Sequence, residues 1–132
     1  MSQENVELAR RGYAAFAEDD VEAMAEFFHE DFVLYDSPLL PDQGVYRGFQ
    51  GFVENYRKAL ESFEEFRSEP EEIFDVGDER VVVAVRISGR GKGSQLVVDA
   101  HVAHLWTVRD GRAVELRVFD TKEAALRAAG LG

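Results

Sequence analysis

Five polar side chains in this 132-residue sequence sit in apolar patterns: Tyr13, Asp36, Tyr56, His104 and Asp120. Carboxylates, an imidazole and phenols are the groups of general acid–base work, and phenols and imidazoles also donate hydrogen bonds to a developing oxyanion. Polar groups on an apolar concave surface cost free energy unless they are paired or wet. A largely apolar cavity with a few convergent polar groups is the usual form of a small-molecule site. Each residue also has a simpler role open to it. Asp36 precedes Ser37-Pro38 and could make an Asx-type turn. Asp120 precedes Thr121, three residues before Glu123, and suits a helix N-cap. Tyr13 and Tyr56, at helical spacing, could be core residues with a hydroxyl at the edge, and His104 a hydrogen-bonded core histidine. The functional reading rests on their convergence.

Three other patterns do not carry chemistry. His101 and His104 have the spacing of a metal pair, but on a strand residues three apart face opposite sides. The run Gly89-Arg90-Gly91-Lys92-Gly93-Ser94 lacks phosphate-loop spacing and precedes a strand, so it reads as a hairpin turn. His29 is expected near a helix C-terminus, where the dipole tolerates a partly positive ring. No metal and no cofactor is expected.

The elements that must position these residues follow from periodicity. Val6, Ala9, Tyr13 and Phe16 share one face of a helix over residues 3–18. Asp19 and Asp20 end it and can cap a second helix over 21–28, with Glu22 in a capping-box position. A short strand is expected over 32–36 and a loop over 37–44, from its prolines and glycine. Phe52, Tyr56, Leu60 and Phe63 mark a third helix over 49–63. Strands follow over 71–76, 80–88, 95–108 and 112–119, then a short helix over 121–129 that ends at Gly130.

Helices first and hairpin-linked strands after argue for an α+β fold, with helices packed on one face of a mainly antiparallel sheet. Alternation places Val81, Val83, Val85 and Ile87 on one strand face, and Val98, Ala100, Val102, His104, Trp106 and Val108 on the next. Val114, Leu116 and Val118 match them on the last strand, with Asp120 in phase. Asp99, His101, Glu115, Arg117 and Phe119 are expected on the other side, facing solvent or a partner.

Length suits one domain over residues 1–132. The net charge of −11 disfavours nucleic-acid and membrane-surface partners. There is no cysteine for a disulfide or a thiolate nucleophile. The N-terminus carries charges rather than a secretory h-region, and no run is long enough for a membrane span. A cytoplasmic location is expected.

The segments ARRGYAAF, EDDVEAM, FVLYDSP, GVYRGFQGFVENY, HVAHLWTVRDGR and DTKEAA together resemble a SnoaL-like protein over essentially the whole chain. That group belongs to the nuclear transport factor 2-like superfamily, with ketosteroid isomerases, polyketide cyclases, limonene epoxide hydrolase and scytalone dehydratase. The resemblance implies a cone-shaped barrel: a curved sheet around three N-terminal-half helices, a short C-terminal helix and a deep pocket. It also implies an apolar ligand and a homodimer through the outer sheet face. In ketosteroid isomerase a carboxylate moves a proton beside a carbonyl, while a tyrosine and a protonated aspartic acid stabilise the oxyanion. Here Asp36 matches the base and Tyr13 the tyrosine. The aspartic acid is replaced by His104 or, with a one-residue shift in the hairpin at 109–112, by Ala103. Asp120 is a further acid/base candidate in the cyclase manner. Phe16, Tyr35, Phe52, Tyr56 and Trp106 are expected to line the pocket. Arg86 and Arg117 fall on the outward face, away from the place an epoxide-hydrolase arginine needs.

Overall fold

The stripe from Val6 to Phe16 forms α1 (Ser2–Ala17), which ends where Asp19 takes a left-handed φ of 55°. The structure, a computed structural model, describes residues 2–36, 44–77, 79–94 and 96–130. The expected loop over 37–44 falls almost wholly outside the described residues, as do Asp78 of the expected 77–78 turn and Gln95. Asp20 caps α2 (Val21–Ala25), its carboxylate accepting from the Ala23 amide at 3.1 Å. Glu22 is therefore one residue short of the capping-box position.

The second helix is shorter than expected, because Phe28 already opens β1 (Phe28–Tyr35). His29 accordingly lies on a strand rather than at a helix end, and its Nδ1 accepts from the Asp31 amide at 3.0 Å. β2 (Val45–Arg47), too short to show a period, was not expected. It leads directly into α3 (Gly48–Ser62). A Cβ on Gly51 would lie 2.9 Å from the Tyr46 carbonyl carbon, so a glycine lets α3 close on β2.

β3 (Phe63–Asp75) starts eight residues earlier than the expected strand. It lies at the sheet edge, where Pro70 costs no interior ladder bond, and it is bulged between Glu64 and Arg67 and between Pro70 and Glu72. β4 (Arg80–Gly91), β5 (Val97–Arg109) and β6 (Arg112–Phe119) follow, then α4 (Lys122–Ala128). β4 runs through Gly89 and Gly91, and the expected turn is confined to residues 92–94, with Gly93 at a left-handed φ of 83°.

The six strands form one curved sheet in the order β2-β1-β6-β5-β4-β3. All neighbours are antiparallel except β1 and β6, which pair parallel with Leu34 opposite Leu116. This is the expected α+β fold. Val83 pairs with His104, Val81 with Trp106, and Leu116 with Trp106, so these residues share the concave face. A bulge on β6 sets Ala113 opposite Val108, and Ala113 rather than Val114 points inward.

The opposite face is not all solvent. Val82, Ala103 and Leu105 pack there with Val76 against Ala125 and Ala129 of α4 and its flank. Phe119 joins this cluster partly buried, not as an exposed partner surface. Helices therefore cover both faces, which explains the unbroken burial of Val81, Val82 and Val83 on β4. Each fully buried valine stabilises the fold by about 1.5–3 kcal/mol. Thr121 caps α4 by accepting from the Ala124 amide at 3.1 Å, so Asp120 is not the N-cap. Among the described residues no helix is long and apolar enough to cross a membrane.

Candidate functional site

Between α1, α3 and the concave sheet lies a cavity of about 390 Å³. That is the size of a site for a drug-like molecule. α1 lines it with one stripe that includes Asn5, Ala9, Tyr13 and Phe16, and α3 with Phe52, Asn55, Tyr56 and Ala59. Both stripes follow helical period. Strands contribute Phe28, Leu34, Val81, His104, Trp106, Leu116 and Val118, and Asp36 lies just past the end of β1.

At the centre is a line of hydrogen bonds between residues far apart in sequence. The Trp106 indole N–H donates to the Tyr13 hydroxyl at 2.9 Å, and that hydroxyl lies 2.6 Å from His104 Nδ1. An indole can only donate, so Tyr13 accepts from Trp106 and directs its own proton to Nδ1. The imidazole proton then sits on Nε2. Nε2 has no hydrogen-bond partner among the described residues, and the ring lines the cavity. The Tyr13 and His104 rings are near parallel, 14° apart, with centroids 6.0 Å from each other.

Burial fixes the protonation states. It lowers the His104 pKa from 6.5 to about 4, so the ring is neutral at neutral pH. It also drives the Tyr13 hydroxyl well above its ordinary pKa, only partly offset by the Trp106 hydrogen bond. Tyr56 is raised as well, by burial first and then by the nearby Asp19 carboxylate. The site thus holds a neutral imidazole kept in one tautomer by a neutral phenol.

Asp36 lines the same cavity, half-buried. Its Oδ2 accepts from the Asn55 side-chain amide at 2.9 Å, and its backbone N–H donates to Gly44 at 3.2 Å. Continuing the β1–β6 register by one residue sets Asp36 beside Val118, which pairs on its other side with His104. Asp36 and His104 are then two strand spacings apart, about 10 Å along the sheet.

Phe16, Phe52, Tyr56 and Trp106 line the cavity as expected from the sequence. Phe16 and Tyr56 rings approach to 4.5 Å between centroids. Tyr35 and Asp120 are not in the lining. Tyr35 pairs with Arg117 across the strands, on the outer face, with the guanidinium carbon 4.7 Å from its ring centroid. Asp120 is exposed beyond the end of β6. Ala103 is fully buried under α4, so the histidine faces the cavity and the alanine does not. His101 is on the opposite side, with Nδ1 2.8 Å from Glu71. Asn55 was missed from the sequence. Its signal was phase alone, one turn from Phe52 and beside Tyr56 on α3.

Among the described residues no cluster of His, Asp or Glu could hold a metal ion. Among the described residues the lining contains no lysine or arginine, so no fixed positive charge in it would pair with a phosphate or carboxylate.

Comparison with solved structures agrees with this architecture. An NTF2-like protein from Burkholderia thailandensis superposes with a TM-score of 0.81 at 23% identity, over 96% of this chain and 95% of that one. A putative SnoaL-like polyketide cyclase from Jannaschia sp. gives a TM-score of 0.77 at 22% identity, over 100% and 94%. TerC, co-crystallised with polyporic acid, gives 0.75 at 22% identity, over 96% and 98%. No curated protein is significantly similar in sequence. The SnoaL-like domain family matches residues 9–116, most of the chain, and the protein belongs to that family.

Proposed function

We propose that this protein performs cofactor-independent acid–base chemistry on an apolar, ketone- or enol-bearing compound, as an isomerase, cyclase or dehydratase. The observation that carries the reading is the Trp106–Tyr13–His104 line, which ends in an imidazole N–H at an apolar cavity that Asp36 also lines. Asp36 is the base. It takes a proton from the carbon beside the carbonyl, the C–H electrons form the enolate double bond, and the carbonyl π pair moves onto oxygen. His104 Nε2–H donates a hydrogen bond to that oxygen and keeps its proton. Tyr13 holds the ring in this tautomer rather than donating to the ligand itself, and Asn55 orients the carboxylate.

The enolate collapses in one of three balanced ways. Asp36 returns the proton to a second carbon (isomerisation). Alternatively, the enolate carbon bonds to an electrophilic carbonyl carbon of the same molecule, whose oxygen takes the proton (cyclisation). In the third, a hydroxyl leaves as water with that proton (dehydration). A homodimer through the outer face belongs to the same proposal. The uncovered part of that face carries both signs of charge, with Arg86 bound to Asp99 at 2.8 Å and 2.9 Å.

A thermal-shift screen with planar phenols and naphthols, which mimic an enolate, tests the reading. A ligand at about a hundred times its Kd stabilises the fold by about 2.7 kcal/mol, which is several degrees in a domain of this size. The shift should vanish in His104→Ala and shrink in Tyr13→Phe. If no phenol in the panel raises the melting temperature, the oxyanion site is wrong and a non-catalytic module takes its place.

A further inference from the structure

At one end of the cavity a carboxylate and a group of aromatic rings meet. Asp36 accepts from Asn55 of α3 at 2.9 Å, and on that helix Asn55 stands between Phe52, three residues before it, and Tyr56, directly after it. These residues line the cavity together with Phe16 of α1. The Phe16 ring lies 4.5 Å from Tyr56 and 6.1 Å from Phe52, centroid to centroid, and Phe28 lies 4.7 Å from Phe52. Aromatic rings carry negative faces, and a cation within about 6 Å of a ring centroid is attracted to them.

The charges around these rings have one sign. Asn55 is a neutral donor to Asp36, and among the described residues the lining includes no lysine or arginine. An ionised carboxylate offers about four acceptor positions, of which the Asn55 amide takes one. Burial and then the charge of Asp19 raise the Tyr56 pKa, so the field of a second carboxylate reaches this ring from the end of α1. The net charge of −11 draws cations toward the molecule from a distance. A metal ion or a primary ammonium is strongly hydrated, and apolar walls return few oxygen atoms for the water it gives up. An alkylated ammonium ion has less hydration to lose, and its alkyl groups suit aromatic walls.

We infer that this end of the cavity binds an alkylated organic ammonium ion, with the Asp36 carboxylate as its counter-ion and Phe16, Phe52 and Tyr56 around its alkyl groups. Such binding goes beyond the proposed function and does not depend on it. An ammonium ion seated on Asp36 blocks the approach of a carbon-bound proton to the same carboxylate, so the cation also shuts off proton transfer there.

A matched pair of phenols tests the inference. The compounds para-tert-butylphenol and its para-trimethylammonio counterpart share one shape and differ by a single charge, and both carry the hydroxyl that the His104 site would hold. Affinities are measured by titration calorimetry at about pH 6, where both phenols are protonated, on the wild type, Asp36→Asn and Phe16→Leu. The cation should bind roughly tenfold tighter than the neutral phenol to wild type. That ratio cancels changes in cavity shape common to both probes. It should vanish in Asp36→Asn and shrink in Phe16→Leu. Equal binding by the wild type, or tighter binding of the neutral phenol, would overturn the cation site and leave the His104 site standing. A preference unchanged by either substitution would also overturn it, since the charge of the whole molecule then accounts for the difference. Binding of the cation alone would uphold the cation site and overturn the oxyanion site, and binding of neither compound would overturn both.

Discussion

Two histidines three residues apart on β5 show how differently the two faces of this sheet are built. His101 is exposed on the convex side and hydrogen-bonded to Glu71, in a region where Arg86 holds Asp99 and Arg117 holds Glu115. Every one of those charges has its partner beside it and water around it, and such pairs contribute little to stability. His104, on the concave side, has no charged neighbour in its hydrogen-bond line, only a tyrosine and a tryptophan behind it. The comparison teaches that polar groups on the outside neutralise one another. Those inside are arranged to leave one donor and one carboxylate facing an apolar space.

The sharpest way to break the comparison is at Asp36. Asp36→Asn keeps the shape and a hydrogen-bonding side chain but removes the base. Turnover of any substrate the wild type converts should fall about 10²–10⁴-fold, with the circular dichroism spectrum unchanged. Turnover within a few-fold of wild type would remove Asp36 from the chemistry.

Next in size is the pH dependence of stability. As pH falls, the unfolded chain protonates His104 near 6.5, whereas the fold resists until about 4. The folded value is depressed, so the stability tied to the neutral ring is complete above the unfolded value. It is lost as pH falls across that window, by up to about 3 kcal/mol. Melting temperatures of wild type and His104→Asn should therefore converge between neutral pH and pH 4, because only the wild type carries this loss. Parallel curves would mean that the His104 ring is open to water.

The smallest effect sharpens the convex side. Ala103 is fully buried beneath α4, so Ala103→Leu should overpack that contact and destabilise by about 1–3 kcal/mol. Phenol affinity should not change, since Ala103 points away from the cavity. Unchanged stability would mean that α4 yields easily and that the convex face is not a second core.

Much of this was legible in the sequence. The alternation of β4 and β5 gave the right concave set, including the choice of His104 over Ala103, because side-chain period on a strand is strict. The stripes of α1 and α3 placed Tyr13, Phe16, Phe52 and Tyr56 correctly for the same kind of reason. What was hidden depends on more than period. β3 was obscured by its charged start and by Phe63 and Phe66, whose spacing suits a helix, and only its bulges reconcile them with a strand. The bulge at β6 moved Ala113 into the place expected for Val114. Tyr35, one residue from Asp36, went to the other face by the same alternation that placed His104. The covering of the convex face by α4 had a signal in Ala103, Ala125 and Ala129, small residues that let backbones approach, but alanines also read as ordinary helix formers. Asn55 had no titratable group to draw notice.

The parallel pairing of β1 with β6 has a consequence for how the chain reaches this state. Tyr13 and His104 are 91 residues apart, and β1, with β2 beside it, joins the rest of the sheet only through the last strand. Contacts of such long range are slow to form, because loop-closure entropy is spent before they give anything back. During synthesis the β3–β4–β5 hairpins can assemble early, while β1 waits with β2 and α3, its Phe28, Phe32 and Leu34 packed on Phe49 and Phe52 but still without Ala113 and Leu116 of β6. The cavity is thus among the last parts of the molecule to exist. A nascent chain stalled before β6 would present those aromatic residues to chaperones rather than a site to a ligand.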